Sequence, residues 1–399
     1  MDISLLKTHQ ISALVFLAFW LINPGIGCSQ ANREINKFTV RPGYKVTIAV
    51  ESIDNARFLE MGADGTLYVS RPRHEDIIAL QDKNNDGRFE SRTTYIDDYS
   101  TVHGLYYKDG WLWFSQTGAI HKSRDTDQDG SADEVVTVIP EDKIYSQGGG
   151  HWWRSLLVTD NAIFTSIGDR GNIHDGTESE RQKIWRYSLD GQEKSLFASG
   201  LRNTEKLRLR PGTGEIWGCD HGSDWYGRPL GENRRQQPIT DHNPPDEFNY
   251  YQEGHFYGHP FIVGNIQPRF EYTDRADILE LAEKTTPPAW RFGAHVATNG
   301  FTFISHANSH FPDDHKGDAF VAQHGSWNRS VKSGYAIVRI LFDDITGKPY
   351  GSLKIVSTLA SDGETVLDRP VDCVEAPDGS ILFSTDYKGR VYRLSHVGS

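Results

Sequence analysis

The chain has few of the residues that hold small or membrane-bound folds together. Only three cysteines occur in 399 residues, and Cys219 and Cys373 fall in different repeats. No disulfide framework is implied, and both read as small buried apolar residues. No Cys-x-x-Cys-His is present, which excludes a covalently attached c-type haem. Runs of Lys and Arg are also missing and the formal net charge is −12. A nucleic acid is therefore excluded as the main partner, because phosphate binding needs a basic footprint. Long apolar stretches are limited to one, from Ile11 to Ile22. It is too short to span a bilayer but suits the middle of a secretory signal, with Lys7 before it and small residues after it. Residues 1–31 are thus expected to be a signal peptide and 32–399 the mature domain, periplasmic or secreted, with no transmembrane span. Two cleavage points compete: after Ser29-Gln30-Ala31, or before Cys28, where Gly25-Ile26-Gly27-Cys28 has the form of a lipoprotein box and would leave a lipid anchor on Cys28. Capped amphipathic helices are lacking too, apart from a short candidate at Ala276–Glu283.

What the chain has instead is a phrase repeated six times, a turn followed by a burst of alternating apolar residues. The copies are 64–71 (DGTLYVSR), 109–116 (DGWLWFSQ), 160–169 (DNAIFTSIGD), 213–221 (TGEIWGCDH), 316–324 (KGDAFVAQH) and 378–386 (DGSILFSTD). Such a strand cannot bury its own apolar face, so the copies must stack, and repeats about 40 to 60 residues apart suit the blades of a propeller. The expected fold is all-β, a six-bladed β-propeller with a long loop insertion between the fourth and fifth blades. A propeller gathers its inner strand ends around one axial mouth. Taken as those ends, the repeats bring Arg71, Gln116, Asp169, Asp220, His221, His324 and Asp386 there. The segment Asn36–Val40 is expected to close the ring by adding a strand to the last blade.

Two loops have the oxygen spacing of calcium sites: Asp82, Asn84, Asp86 with Gly87, and Asp125, Asp127, Asp129, Asp133 with Gly130. Both lack a Glu at the twelfth position, which is Thr93 in one and Val136 in the other, so solvated polar turns are the competing reading. The stretch from His221 to Trp290 contains no repeat but many aromatics, among them Trp225, Tyr226, Phe248 and Tyr257, as an ordered lid or ligand wall would. His151 precedes the third repeat and Asp169 ends it. An imidazole oriented by a carboxylate is a natural general base near neutral pH.

These residues belong to an ordered series of motifs: His151-x4-Leu156 with Ile167-Gly-Asp169, Ser199-Gly-Leu-Arg202-Asn203, Trp217-Gly-Cys-Asp-His-Gly222, Pro245-Asp-Glu247-Phe-Asn249, His295-Val-Ala, His324-Gly-Ser-Trp-Asn-Arg-Ser330 and Asp368-Arg369-Pro. Together they resemble the pyrroloquinoline-quinone (PQQ) sugar dehydrogenases of the soluble glucose and L-sorbosone dehydrogenase type, from about Gly43 to Leu394. The resemblance implies PQQ and Ca²⁺ as cofactors, a sugar or polyol substrate, and an external electron acceptor such as a cytochrome. It implies His151 as the base that removes the hydroxyl proton, with Asp169 close by, and Arg202 as the cation that stabilises the reduced cofactor. Asn203 would face the cofactor, as would His295, and Arg329 and Arg369 would clamp its carboxylates. Backbone carbonyls at Gly222 and Ser223 would hold the cofactor calcium, and Asp246 and Glu247 would knit the long loop.

The chain departs from that family at several points. Trp152-Trp153 stands where two glycines usually follow the base, Thr204 replaces a proline, Arg329 replaces a lysine, and Val371 replaces a second clamp arginine. These departures keep a second reading open: a carbohydrate- or protein-binding propeller that has lost PQQ. Another glycan reaction at His151, assisted by a metal, is a third.

Overall fold

The computed structural model describes residues 34–147, 149–227, 238–305 and 311–398. The expected signal peptide and Cys28 lie outside the described residues. Among those described, no helix is long and apolar enough to cross a membrane.

Each repeat builds one antiparallel sheet, and six sheets stand around an axis. Blade one runs Leu59–Met61, Leu67–Arg71, Asp76–Gln81, Ser91–Ile96, and blade two Leu105–Lys108, Trp111–Ser115, Ile120–Arg124, Glu134–Ile139. Blade three is Leu157–Val158, Ile163–Ile167, Lys183–Tyr187, Lys194–Ser199, and blade four Leu207–Leu209, Ile216–Asp220, Pro245–Tyr251, Trp290–Ala294. Blade five is Thr298–Phe303, Ala319–Gln323, Ala336–Phe342, Pro349–Ser357, and blade six Pro370–Glu375, Ile381–Thr385, Arg390–His396. The outer strand of blade six is Tyr44–Val50, pairing Tyr44 with His396, so the N-terminal part of the domain closes the ring. Thr39–Val40, expected to do this, pairs instead with the outer strand of blade five. The longer, alternating Tyr44–Val50 offers seven residues to the open edge.

The repeated phrases form the second strand of every blade rather than the innermost one. The second strands are buried on both faces, which is why their apolar signal is strongest; blade one's reads Leu67–Arg71 with every residue buried. The innermost strands of blades one to four are only two to four residues long, against five in their second strands. Their register brings Lys206 Nζ to 2.6 Å from both carboxylate oxygens of Asp372. Six apolar clusters fill the six blade interfaces. Between blades four and five, Trp217, Phe248, Phe301, Phe303 and Phe342 pack edge to face. Each such buried ring contributes about 1.5–3 kcal/mol, so the interfaces rather than the sheets alone hold the ring shut.

The long stretch after the fourth repeat falls into two loops divided by the third strand of blade four, 221–244 and 252–289. Its aromatics are mostly core: Phe248, Tyr251, Tyr257 and Tyr226 are buried. The expected short helix is Ile278–Lys284, and Phe261, Ile262, Ile278 and Ala282 give the second loop a small core of its own.

Candidate functional site

Strand direction decides which side chains meet. Innermost strands start at the mouth and second strands end there, so residues just before the one and just after the other converge. Arg57, His103, His151, Arg202, Asn203, His295 and Arg369 belong to the first group; Asp169, Asp220, His221, His324 and Asp386 belong to the second.

His151 is held by main chain. Its N–H and its ring Nδ1 both lie 3.0 Å from the carbonyl oxygen of Asp169. A carbonyl only accepts, so Nδ1 carries the proton and Nε2 keeps its lone pair. Burial, and then the nearby charge of Arg202, lower the imidazole's pKa to about 3. The ring is therefore a neutral acceptor at physiological pH. The Asp169 carboxylate, expected to orient it, is engaged elsewhere. It receives Gly171 N at 2.8 Å, His174 N at 3.0 Å, Gln182 Nε2 at 2.9 Å and His259 Nε2 at 2.8 Å. Burial alone would raise this carboxyl, but the hydrogen bonds led by His259 hold it well below the usual range. Asp169 thus ties the second insertion loop, through His259, to the strand beneath the base.

Arg202 reaches the same region and spends most of its donors on protein. Nε bonds Asn172 O at 3.0 Å, one terminal nitrogen bonds Gly222 O at 2.9 Å, and the other bonds Asn172 Oδ1 and Asp224 Oδ1, each at 2.9 Å. Its backbone and that of Asn203 are capped by Asp220, with Oδ2 and Oδ1 at 2.8 and 2.6 Å. Thr204, where the related family has proline, bonds Asp220 Oδ1 at 3.1 Å and Tyr251 OH at 2.6 Å. The hydroxyl replaces a rigid ring with two hydrogen bonds.

Beside Gly222 the oxygens crowd. Asp246 Oδ1 accepts Gly222 N at 2.7 Å, while its buried Oδ2 has no partner. Burial, then the charges of Asp220 and Asp246, raise Glu247 to about 8. A small cavity of about 20 Å³ lies here, lined among others by Arg202, Asp220, Gly222 and Glu247. The carboxyls of Asp220 and Glu247 and the Gly222 backbone, with Asp246 bonded to Gly222, are hard-oxygen donors of the kind Ca²⁺ takes. Ser223 turns its hydroxyl away, to Trp225 O at 2.8 Å, which leaves only its backbone for such a role.

A second cluster spans the axis. Glu205 accepts Arg57 at 2.9 Å and Asn203 Nδ2 at 3.1 Å, with His103 Nε2 at 3.8 Å. Burial would raise this carboxyl, but Arg57 and His103 hold it down to about 2. Asp386 gathers His324 Nε2 at 3.0 Å, Arg369 Nε at 3.1 Å and Arg57 at 3.5 Å. Among the described residues only the Nε of Arg369 is engaged, and its side chain is 42% exposed, which leaves its outer nitrogens available to a ligand. Val371 is fully buried in the innermost strand of blade six and points away from ligand space. Arg329 sends one nitrogen to Ala294 O at 3.1 Å. His295 is bonded at both ring nitrogens, to Thr240 O at 2.7 Å and to Asn328 at 3.3 Å.

Arg57, His103, Glu205 and His259 escaped the sequence reading. Arg57 and His103 stand just ahead of an innermost strand, the place His151 occupies in blade three, a position that shows only once the strands are placed. Glu205 and His259 carry no such signal.

The Asp-rich turns join third to fourth strands and therefore lie at the opposite end from the mouth. In the first, Asp82, Asn84 and Asp86 cap the backbone of Asp86, Gly87 and Arg88. In the second, Asp125, Asp127 and Asp133 bring one oxygen each within 4.8 Å of one another, and Asp129 is not part of that group. Both turns dock on the preceding blade, through Arg393 to Gly87 O at 3.1 Å and Ala132 N to Tyr95 O at 2.9 Å. A broad cleft of about 1260 Å³ between blades two, three and four also opens at that end, away from His151.

A six-bladed propeller with a neutral imidazole, arginines and an oxygen-rich pocket at one mouth has the fold of the PQQ-type β-propellers. The chain matches the TrAA12-like family over residues 38–397 and belongs to it. Its fold is similar to a carbohydrate-active enzyme of family AA12 from Trichoderma reesei, in a calcium structure, with a TM-score of 0.77 at 19% identity over 90% of this chain and 97% of that one. The holo PQQ domain of pyranose dehydrogenase from Coprinopsis cinerea gives 0.76 at 17% identity, covering 90% and 97%. The soluble aldose sugar dehydrogenase of Escherichia coli, in its apo form, gives 0.64 at 16% identity, covering 89% and 100%. In sequence, the chain is 29% identical to an uncharacterized protein of Borreliella burgdorferi over 236 residues, 59% of this chain and 57% of that protein. The match thus spans little more than half of that relative's length.

Proposed function

We propose that the protein is an extracytoplasmic quinoprotein that oxidises a hydroxyl, or a hydrated aldehyde, of a sugar or polyol and passes the electrons to a separate carrier such as a cytochrome. The observation that carries the proposal is the state of His151: a neutral imidazole with its Nε2 lone pair open, held by the Asp169 carbonyl at the mouth of a TrAA12-like propeller. PQQ, when bound, supplies the two-electron acceptor that no side chain can be. Arg369, through its unengaged nitrogens, and Arg329 would hold its carboxylates, and the oxygens around Gly222 and Asp246 would hold Ca²⁺. Asn203 and Arg202 line the same space. A substrate hydroxyl would donate to His151 Nε2, which would take up its proton while PQQ, when bound, would supply the acceptor for the hydride of the adjoining carbon. The low basicity of His151 is set by burial and Arg202, so any negative charge that develops beside it makes it a stronger base.

Two features favour the second reading, a glycan- or protein-binding propeller without cofactor. Arg202 and the Gly222 carbonyl are bonded to each other, and Val371 removes one clamp arginine. Reconstitution separates the two. Protein incubated with PQQ and Ca²⁺ is expected to bind the quinone tighter than about 10 µM and to reduce an artificial acceptor with sugars. His151→Ala is expected to keep the quinone and lose about 10²–10⁴-fold in turnover. Failure of the parent to bind PQQ ends the proposal, and sugar binding without turnover supports the alternative.

A further inference from the structure

Two buried guanidiniums lie beneath the loop that carries His151, and among the described residues neither has a carboxylate partner. Arg154 is fully buried. It donates to the carbonyls of Thr117 at 2.9 Å, Tyr145 at 3.0 Å, His151 at 3.4 Å and Trp153 at 3.5 Å. Arg181 donates to Gly168 O at 3.1 Å, to Gly149 O at 2.9 Å and to Gln147 O. A buried cation without a counter-charge is costly to keep. Their donors go to the carbonyls of Tyr145, Gln147, Gly149, His151 and Trp153, which anchors the main chain on both sides of the base.

What the fixed segment displays is an indole. Trp152 is 50% exposed, although it directly follows the largely covered His151. Its ring lies 5.8 Å from that of Trp153, which is stacked at 4.7 Å and 11° on the buried His103. The Trp152 carbonyl takes the Thr117 hydroxyl at 3.2 Å. A broad apolar ring face is therefore held toward solvent on a backbone that has no freedom to fold it away. Such a surface loses little ordering entropy on binding.

We infer that Trp152, with Trp153 behind it, is an aromatic subsite for a second sugar ring, so that the substrate is the end of an oligosaccharide or polysaccharide; this rests on the sugar reading above. The flat array of C–H bonds on one face of a pyranose lies against an indole, while its hydroxyls radiate to the side where Thr117 and water accept and donate. Trp152 is the next residue after His151 and is half exposed where His151 is largely covered, so a ring resting on the indole would be the outward neighbour of the ring whose hydroxyl meets Nε2. A single half-exposed indole is far below the roughly 1,000 Å² that a stable protein interface needs.

The test uses the full mature chain without cofactor, with calorimetry and tryptophan fluorescence as readouts. Mono- to tetrasaccharides of glucose, mannose, galactose, xylose and N-acetylglucosamine are the probes. For the sugar type that binds, the disaccharide is expected to bind about five- to tenfold more tightly than the monosaccharide. Trp152→Ala is expected to erase that gain with monosaccharide affinity and melting temperature unchanged, and Trp152→Phe to restore most of it. With reconstituted enzyme, Trp152→Ala raises KM for the disaccharide and leaves kcat alone. Equal affinity for one and two rings, or a gain that survives Trp152→Ala, overturns the subsite and leaves the sugar reading standing. No binding of any sugar overturns both.

Discussion

Adding one methyl group at Gly300 tests how the axial channel is held. A Cβ there would sit 1.9 Å from Asp372 Oδ1 and 2.8 Å from the Asp372 Cα, so the carboxylate must leave its place. In that place it takes Lys206 Nζ at 2.6 Å on both oxygens, Leu59 N at 2.9 Å and Cys373 N at 2.8 Å. Burial pushes Asp372 up and Lys206 down, so each depends on the other to stay charged. Breaking a buried pair while leaving one charge unmatched costs about 3–5 kcal/mol. That is a third or more of the roughly 5–15 kcal/mol that holds a domain folded. Gly300→Ala and Lys206→Met are each expected to lose this amount in urea unfolding, with a thermal midpoint lower by about 4–7 °C. Lys206→Met combined with Asp372→Asn removes both charges but keeps an acceptor for the backbone, and should recover at least half. Asp372→Asn alone strands the Lys206 charge and should cost a similar amount, so the double is expected to fall well short of the sum of the two single losses. Losses below about 1 kcal/mol in both single variants, or strict additivity in the double, would refute the reasoning.

Acid sensitivity follows from His103. Its pKa falls from 6.5 to about 3 on folding, chiefly by burial, so the unfolded chain binds more protons below pH 6.5 and stability drops as pH falls through that range. The loss is about 2 kcal/mol at pH 5, and His103→Phe should remove it from urea curves recorded at pH 7 and pH 5; an unchanged pH slope would count against it. Glu247 acts in the opposite direction: its folded value near 8 makes stability fall as pH rises from 4.5 to 8, and Glu247→Gln should flatten that limb. Asp169→Ala strips acceptors from Gly171, His174, Gln182 and His259, and about 3 kcal/mol should be lost, with proteolysis appearing first in 252–289. Asp125→Asn and Asp82→Asn lie at the far end of the propeller, and turnover of reconstituted enzyme should not respond to either.

The repeat, with its period and apolar alternation, determined the number of blades and the all-β class, because a strand that must bury both faces writes that need into consecutive residues. The turn residues and the short helix near Ile278 were legible for the same local reason. Residue type also marked His151, Arg202 and the Gly222 loop as chemistry-bearing, by their order along the chain. What the sequence could not carry is which strand of each blade lies innermost, since channel-lining strands such as Leu207–Leu209 are short and mixed. Nor could it show that Asp169 serves His259 and the insertion while its carbonyl, not its carboxylate, sets the tautomer of His151. Those pairings join residues about 20 to 90 positions apart, and only the closing of the ring brings them within hydrogen-bond range. The tertiary structure alone also decided that Arg154 and Arg181, two unremarkable cations in the sequence, lie under the base's loop and hold its indole out to solvent.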